Sequence, residues 1–198
     1  ISLSELEVVL KEKEVPTLVS LMHANNEIGT MNDLEGIGKL CKEYGAFFHS
    51  DTVQTVGYFP IDVAKLGLHF CTGSAHKFYG PKGCGFVYIN GESIVRPFVD
   101  GGGQERNMRA GTENIAGILG LAAALEKALN EMDDRREKIT SLRSRLKAGL
   151  EKAVPGITFN GDQTDAFHYK ILSAAFPPGP RTELLLLNLD IEGVSVSG

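Results

Sequence analysis

Apolar residues along this chain keep two rhythms, and the rhythms alternate. Between Ser4 and Lys13, Leu6, Val9 and Leu10 recur at helical spacing, and Pro16 ends that helix. Residues 17–22 then form a continuous apolar run, the kind expected of a parallel strand covered on both faces. Asp33 reads as an N-cap, Leu34, Ile37, Leu40, Cys41 and Tyr44 as one helical stripe, and Gly45 as the residue just past the helix end. A second strand follows at 46–50, so strand, helix and strand predict a right-handed parallel crossover. A short helix is expected after Asp51, then strands at 69–73 and 84–89. Too few residues separate these last two for a helical crossover, which makes the pair antiparallel. Residues 114–130 read as a nearly all-apolar helix buried on most sides (Ile115, Ile118, Leu119, Ala122, Leu125, Leu129). Residues 133–154 read as an amphipathic helix with Ile139, Leu142, Leu146 and Leu150 on one face, ended by Pro155-Gly156. Short strands at 157–159 and 170–176 around a polar loop, a leucine-rich helix at 182–189 and the start of a strand at 193–196 complete the pattern. The expected fold is α/β, a mostly parallel sheet flanked by helices. It divides near residue 132 into part of a large domain (1–132) and the beginning of a small α+β domain (133–198).

Composition narrows the class. The chain has 198 residues, 42% hydrophobic and 23% charged, as in an ordinary globular protein. A net charge of -5 and the lack of a basic patch with interleaved aromatics argue against nucleic acid as a partner. No apolar stretch approaches the roughly 20 residues that span a bilayer. Cys41, Cys71 and Cys84 are an odd number without metal-ligand spacing, all in apolar runs. They read as buried free thiols of a reducing, cytoplasmic compartment. The chain does not begin with Met and stops at Val194-Ser195-Val196-Ser197-Gly198, so both ends read as cut.

Three of the strands run into polar clusters. Residues 17–22 lead to His23-Ala24-Asn25-Asn26-Glu27-Ile28-Gly29, residues 46–50 to Asp51-Thr52-Val53-Gln54, and residues 69–73 to Ser74-Ala75-His76-Lys77. In an α/β sheet ligands bind at the carboxyl ends of the strands, so Asn26, Asp51, Gln54, Ser74, His76 and Lys77 are expected to share one crevice. A lysine held between rigid strands is what a Schiff-base enzyme needs, since its amine must be partly desolvated and fixed relative to a carbonyl. The plainer alternatives are a surface lysine beside a turn, and Asp51 with Gln54 as a helix capping box. Farther on, Gly101-Gly102-Gly103 is a stretch where backbone can approach closely, flanked by Arg106 and Arg109 in a setting suited to anions. His49, His23, His69 and His168 read as partly buried histidines with satisfied hydrogen bonds.

Four motifs carry a resemblance over essentially the whole chain: Ala24-Asn25-Asn26-Glu27-Ile28-Gly29, His49-Ser50-Asp51-Thr52-Val53-Gln54, Ser74-Ala75-His76-Lys77, and the run from Gly101 through Arg109-Ala110-Gly111-Thr112-Glu113-Asn114. In this order they resemble the cysteine desulfurase and selenocysteine lyase family, fold-type I enzymes of the class V aminotransferase group that depend on pyridoxal 5′-phosphate (PLP). The resemblance implies that Lys77 is catalytic and binds the cofactor. It implies Asp51 beside the pyridine nitrogen, Gln54 and Asn26 as donors to the phenolic oxygen or substrate carboxylate, and Ser74 and His76 at the phosphate. Thr112 is implied to reach the phosphate of a neighbouring subunit, hence a homodimer with shared sites. Thr52 stands where the family has a small alanine under the ring, a departure expected to be tolerated.

The implied reaction converts L-cysteine to L-alanine, its sulfur passing to an enzyme thiolate as a persulfide and on to acceptor proteins, as in iron-sulfur cluster assembly. The resemblance also implies about a hundred preceding residues, and a nucleophile loop that begins just after Gly198; Cys41, Cys71 and Cys84 do not match its cysteine. In such a fragment, apolar surface is expected to be uncovered around residues 18–22 and along 114–129. Selenocysteine lyase, and another aminotransferase or β-lyase of the same group, remain open as alternatives, as does a non-catalytic fragment with a scaffold role. Asn26, Gln54 and Arg109-Ala110-Gly111-Thr112 favour the desulfurase.

Overall fold

The structure is a computed structural model and describes residues 1–91, 93, 95–162, 166–179 and 182–198. Leu3–Lys11 forms helix α1, begun by Ser2, whose Oγ accepts from the Glu5 amide. Strand β1 is Leu18–Met22, helix α2 Leu34–Glu43, strand β2 Phe47–Asp51, strand β3 Phe70–Ser74 and strand β4 Gly85–Ile89. The sheet order is β1-β2-β3-β4, with β1, β2 and β3 parallel and β4 antiparallel to β3. The start of α2 follows from local chemistry, because Asp33 Oδ1 accepts from the Gly36 amide at 2.9 Å and satisfies an otherwise orphaned donor. Its end follows from Gly45, which takes a φ of 61°, a left-handed conformation that costs a glycine nothing.

One face of the sheet makes the core. Val19 and Phe48 are register partners and pack with Leu10 of α1, Leu34, Ile37 and Cys41 of α2, and Leu68 and Cys71. Helix α2 comes close to the chain at Gly38, where a Cβ would run into the Leu66 carbonyl oxygen. A second cluster, Val56, Ala75, Phe78 and Ala128, joins the turn after β3 to helix α4, Ile115–Asn130. The alternation of the strands sends Leu18, Phe47 and Val87 to the other face, where they are 56%, 42% and 57% exposed. So β1 is not covered on both faces as its continuous apolar run predicts; the described helices lie on one side, and uncovered apolar surface at β1 is present as expected.

Other elements depart from their pattern. A short left-handed turn, α3 (Gln104–Asn107), has positive φ at Glu105, Arg106 and Asn107. Helix α4 is not buried on most sides: it buries only Gly117 and Ala128 fully, and Ile115, Ile118, Leu119 and Leu129 are exposed among the described residues, which is the uncovered apolar surface expected along 114–129. Helix α5, Met132–Ala153, likewise leaves Leu142 and Leu146 more than half exposed. An apolar stripe says which face prefers burial and not whether a neighbour is present to bury it. The expected helix after Asp51 is a series of turns, with Thr55 and Val56 amides bonding back to Thr52. The strand expected at 170–176 contracts to β6, Ala174–Ala175, paired antiparallel with β5, Thr158–Phe159. Residues 163–165 of the polar loop between them lie outside the described residues. Helix α6 spans Leu185–Ile191, and residues 193–196 are not a strand; no described residue pairs with them in a ladder. Among the described residues no helix is long and apolar enough to cross a membrane.

Gly38 and Gly149 separate two uses of glycine in a helix. Gly38→Ala should destabilise the fold by about 1–3 kcal/mol because backbone must move aside. Gly149→Ala, with nothing within 4 Å of its new methyl, should stabilise α5 by about 0.5–1 kcal/mol. Urea unfolding of the two variants checks this, and equal midpoints would contradict the close approach at Gly38.

Candidate functional site

Parallel register brings the ends of β1 and β2 level with Thr72, two residues before the end of β3. Met22 pairs with Asp51, and Asp51 with Thr72. Just beyond, the His23 amide donates to the Asp51 carbonyl at 2.9 Å and the Thr52 amide to the Thr72 carbonyl at 3.2 Å. Thr52 is wholly buried, and its Oγ1 donates to the same Thr72 carbonyl at 2.7 Å. Its extra hydroxyl is therefore satisfied by backbone and leaves no orphaned polar atom at the site. Asp51 is exposed, and its Oδ1 accepts from the Val53 amide at 2.9 Å, so it shapes a turn and does not cap a helix. Among the described residues that amide is its one partner, and the second carboxylate oxygen is open.

Lys77 lies on a 3-10 helix, Ala75–Phe78, which starts directly at the end of β3. The neighbours on this turn anchor it. Ala75 is 0% and Phe78 1% exposed, Phe78 packing with Val56 and with Ala128 of α4. The Ala75 amide donates to the Cys84 carbonyl at 3.0 Å, and the Gly80 amide returns to the Ala75 carbonyl at 2.8 Å. Tyr79 closes the turn at a φ of 67°, a left-handed conformation rarely held by a bulky residue. The Tyr58 hydroxyl donates to the Lys77 carbonyl at 3.0 Å. The backbone of Lys77 is thus pinned on both sides, while its half-buried amine is in no hydrogen bond or ion pair among the described residues. Ser74 Oγ and His76 Nδ1 are 2.8 Å apart at the head of the turn.

Asn26 and Gln54 stand on the adjoining loops. Asn25 Oδ1 takes the amides of Glu27 and Ile28 and folds the first loop, and the Asn26 amide pairs with the Glu27 carboxylate. Gln54 is half-buried and follows Asp51 within the turns. Thr112 is exposed on the segment after α3 and makes no described contact with the other candidate residues. Asp51, Ser74, His76 and Lys77 are therefore assembled by the sheet itself, Asn26 and Gln54 by loops beside it, and Thr112 stands apart.

Sequence reasoning passed over Tyr58 and Lys170, and read His168 as a satisfied histidine without its partner. Lys170 Nζ sits 3.9 Å from the centroid of the Tyr58 ring, whose hydroxyl holds Lys77. Burial, and then the charge of Lys77, bring the Lys170 amine down to about 8. His168 is wholly buried and bonds the Gln54 carbonyl. The other histidines are satisfied as read: His49 Nδ1 with Ser20 Oγ, His69 Nδ1 with the Phe48 amide, His23 Nδ1 with Thr55 Oγ1. No local signal marks Lys170 or His168, which reach the site across more than a hundred residues of chain.

The family model for class-V aminotransferases matches residues 1–198. A curated cysteine desulfurase IscS of Dictyoglomus turgidum is 46% identical over 181 residues, covering 91% of this chain and 45% of that protein. A cysteine desulfurase IscS of Clostridium botulinum is 44% identical, covering 89% of this chain and 45% of that protein. Among solved structures, a NifS-like protein from Rickettsia africae superposes with a TM-score of 0.93 at 32% identity, covering 100% of this chain and 54% of that one. The apo cysteine desulfurase from Thermococcus onnurineus gives 0.88 at 27% identity over 100% of this chain and 52% of that one. The chain thus spans about half the length of the relatives it matches.

Burial lowers both His23 and His168 from 6.5 to about 4. Between those values the unfolded chain binds more protons than the folded one, so stability falls as pH falls from about 6.5 to 4. Each histidine contributes roughly 3 kcal/mol over the whole window. Urea unfolding of the chain at pH 7 and pH 4.5 should show this loss, reduced by about half in His168→Phe. A pH-independent unfolding free energy would contradict it.

Proposed function

The chain belongs to the class-V aminotransferase family, and from that premise we propose that its protein is a PLP-dependent cysteine desulfurase. The substrate is L-cysteine, the carbon product L-alanine, and the sulfur leaves as a persulfide on a protein thiol for delivery to acceptor proteins. The observation that carries this reading is the pairing of a pinned lysine and an exposed carboxylate at the carboxyl ends of neighbouring parallel strands, the lysine amine and the second carboxylate oxygen both open among the described residues. The relatives named cysteine desulfurase support it at 44–46% identity.

The residues fit PLP by the chemistry of their donors. Lys77 supplies a partnerless amine for the aldehyde, Asp51 an anion for the ring nitrogen, Gln54 and Asn26 amide donors for the phenolic oxygen, and Ser74 with His76 donors for phosphate. When bound, PLP supplies an electron sink for the bonds at the substrate Cα. Asp51 holds the ring nitrogen protonated through its negative charge. With PLP bound, Lys77 Nζ would hold its aldehyde and, once displaced by the substrate amine, would carry the proton away from Cα and later return it there, while a second proton would be taken up at Cβ where the C–S bond breaks, so that the carbon product is alanine. A thiolate attacks the substrate sulfur, so the sulfur passes to it as the carbon fragment leaves with the electron pair. Cys41 and Cys71 are poor candidates for that thiolate. Burial raises Cys41 to about 11 and also raises Cys71, so both are thiols at neutral pH. The nucleophile therefore lies outside these two residues.

The same reading divides the chain near residue 132, between α4 and α5, and assigns Thr112 to the phosphate of a second copy in a homodimer. Three free cysteines agree with a cytoplasmic, reducing setting.

In the whole protein, Lys77→Ala should abolish alanine formation from cysteine. Borohydride reduction followed by peptide mapping should place the pyridoxyl group on Lys77; finding it on Lys82 or Lys170 would overturn the assignment. Asp51→Asn should retain PLP yet lower turnover on the order of 100-fold or more, because a preorganised charge is lost. Near-normal turnover would remove Asp51 from this role.

A further inference from the structure

His168 joins two loops that otherwise belong to different strands. Its wholly buried ring donates from Nε2 to the Gln54 carbonyl at 2.8 Å, across 114 residues of sequence. The Lys170 amide donates to Nδ1 at 3.3 Å, which leaves the proton on Nε2 and fixes one neutral tautomer. The backbone amide of His168 donates to the Gly29 carbonyl at 2.7 Å. Gly29 sits at a φ of 76°, and a Cβ placed on it would lie 3.1 Å from Ile171 Cβ, so this end of the Asn26 loop packs closely on the 168–171 segment. Neighbouring bonds continue the seam, the Met31 amide donating to the Ala166 carbonyl at 2.8 Å. The ring itself is held edge-on between Phe59 at 5.0 Å and Tyr58 at 5.2 Å.

We propose that His168 is a positioning residue for the cofactor's phenolic oxygen, setting the spacing between the loop that carries Asn26 and the turn that carries Gln54. The inference rests on the PLP reading above. One donor faces each loop, the ring N–H toward Gln54 and the backbone N–H toward Gly29, so the two loops move as one body only while both bonds hold. A part-buried carbonyl that loses its donor must find another or bear part of the cost of desolvation, and Gln54 would shift to do so. Burial keeps the imidazole neutral at all working pH values, so the tautomer that donates to Gln54 does not change.

The test compares His168→Phe, which keeps an aromatic ring and removes the donor, with His168→Gln, whose amide nitrogen can replace Nε2. Both are made in the whole protein and loaded with PLP. The readouts are the PLP dissociation constant and the pH midpoint of the visible band of the lysine-bound cofactor. His168→Phe should weaken PLP roughly tenfold, the worth of one buried hydrogen bond, and shift the midpoint. His168→Gln should stay within about twofold of wild type for the same reason. In a Gln54→Ala background the midpoint shift caused by His168→Phe should shrink by at least half, since the two changes act on one contact. If the Phe variant does not fold, His168→Asn, whose amide falls short of Gln54, serves in its place. A variant that lowers thermal stability but leaves affinity and midpoint unmoved, or whose effects add fully to Gln54→Ala, overturns the inference alone. A wild-type protein with no visible band refutes the PLP reading, and this inference with it.

Discussion

Everything at the strand ends depends on parallel register. Met22, Asp51 and Thr72 are level because Val19 and Phe48 are both drawn to the covered face, and a slip of one residue would turn each strand over. Asp51 would then point into the helices and Phe48 into water, at a cost of about 1.5–3 kcal/mol for the phenylalanine alone. Thr52 secures the register from the polar side: its amide and hydroxyl both donate to one carbonyl, that of Thr72. The turn after β3 inherits this precision. Ala75 and Phe78 are locked in the second cluster, so Lys77 is placed by burial of its neighbours and not by contacts of its own.

What could be read from the sequence is what local chemistry decides. Asp33 caps α2 through an amide three residues away, and Gly45 ends it by its own φ. The antiparallel turn of β4 follows from a connection too short for a crossover. The errors arise where a distant partner decides. Residues 193–196 have a strand's composition but no ladder, and the stripe along α4 has few neighbours on much of its surface. Asp51 illustrates both sides. Its place at a strand end was legible, but a carboxylate two or three residues before an amide serves a turn as well as a helix, and only the backbone beyond it selects. His168 was legible as a satisfied histidine, but its partner 114 residues away was not.

Electrostatics sharpens the role of that distant segment. Residues 166–171 bring a second amine, Lys170, to the back of the turn that holds Lys77. Burial and the charge of Lys77 both disfavour the Lys170 ammonium, and the fold offsets part of this cost with a tyrosine face 3.9 Å from Lys170, while the hydroxyl of the same tyrosine holds the Lys77 carbonyl. Arg135 approaches the same ring, 5.5 Å from its centroid, and donates to the Gly57 and Ala128 carbonyls. Tyr58 is thus a hub through which helix α5, the 166–171 segment and the lysine turn are coupled. Two kinds of constraint therefore converge on Lys77. The sheet places its backbone, and Tyr58, with two cations against its ring, holds its carbonyl from behind. Because Lys170 lies on a segment joined to the rest by His168 and its neighbours, loosening that seam would disturb the position of Gln54 and the packing against Tyr58 together.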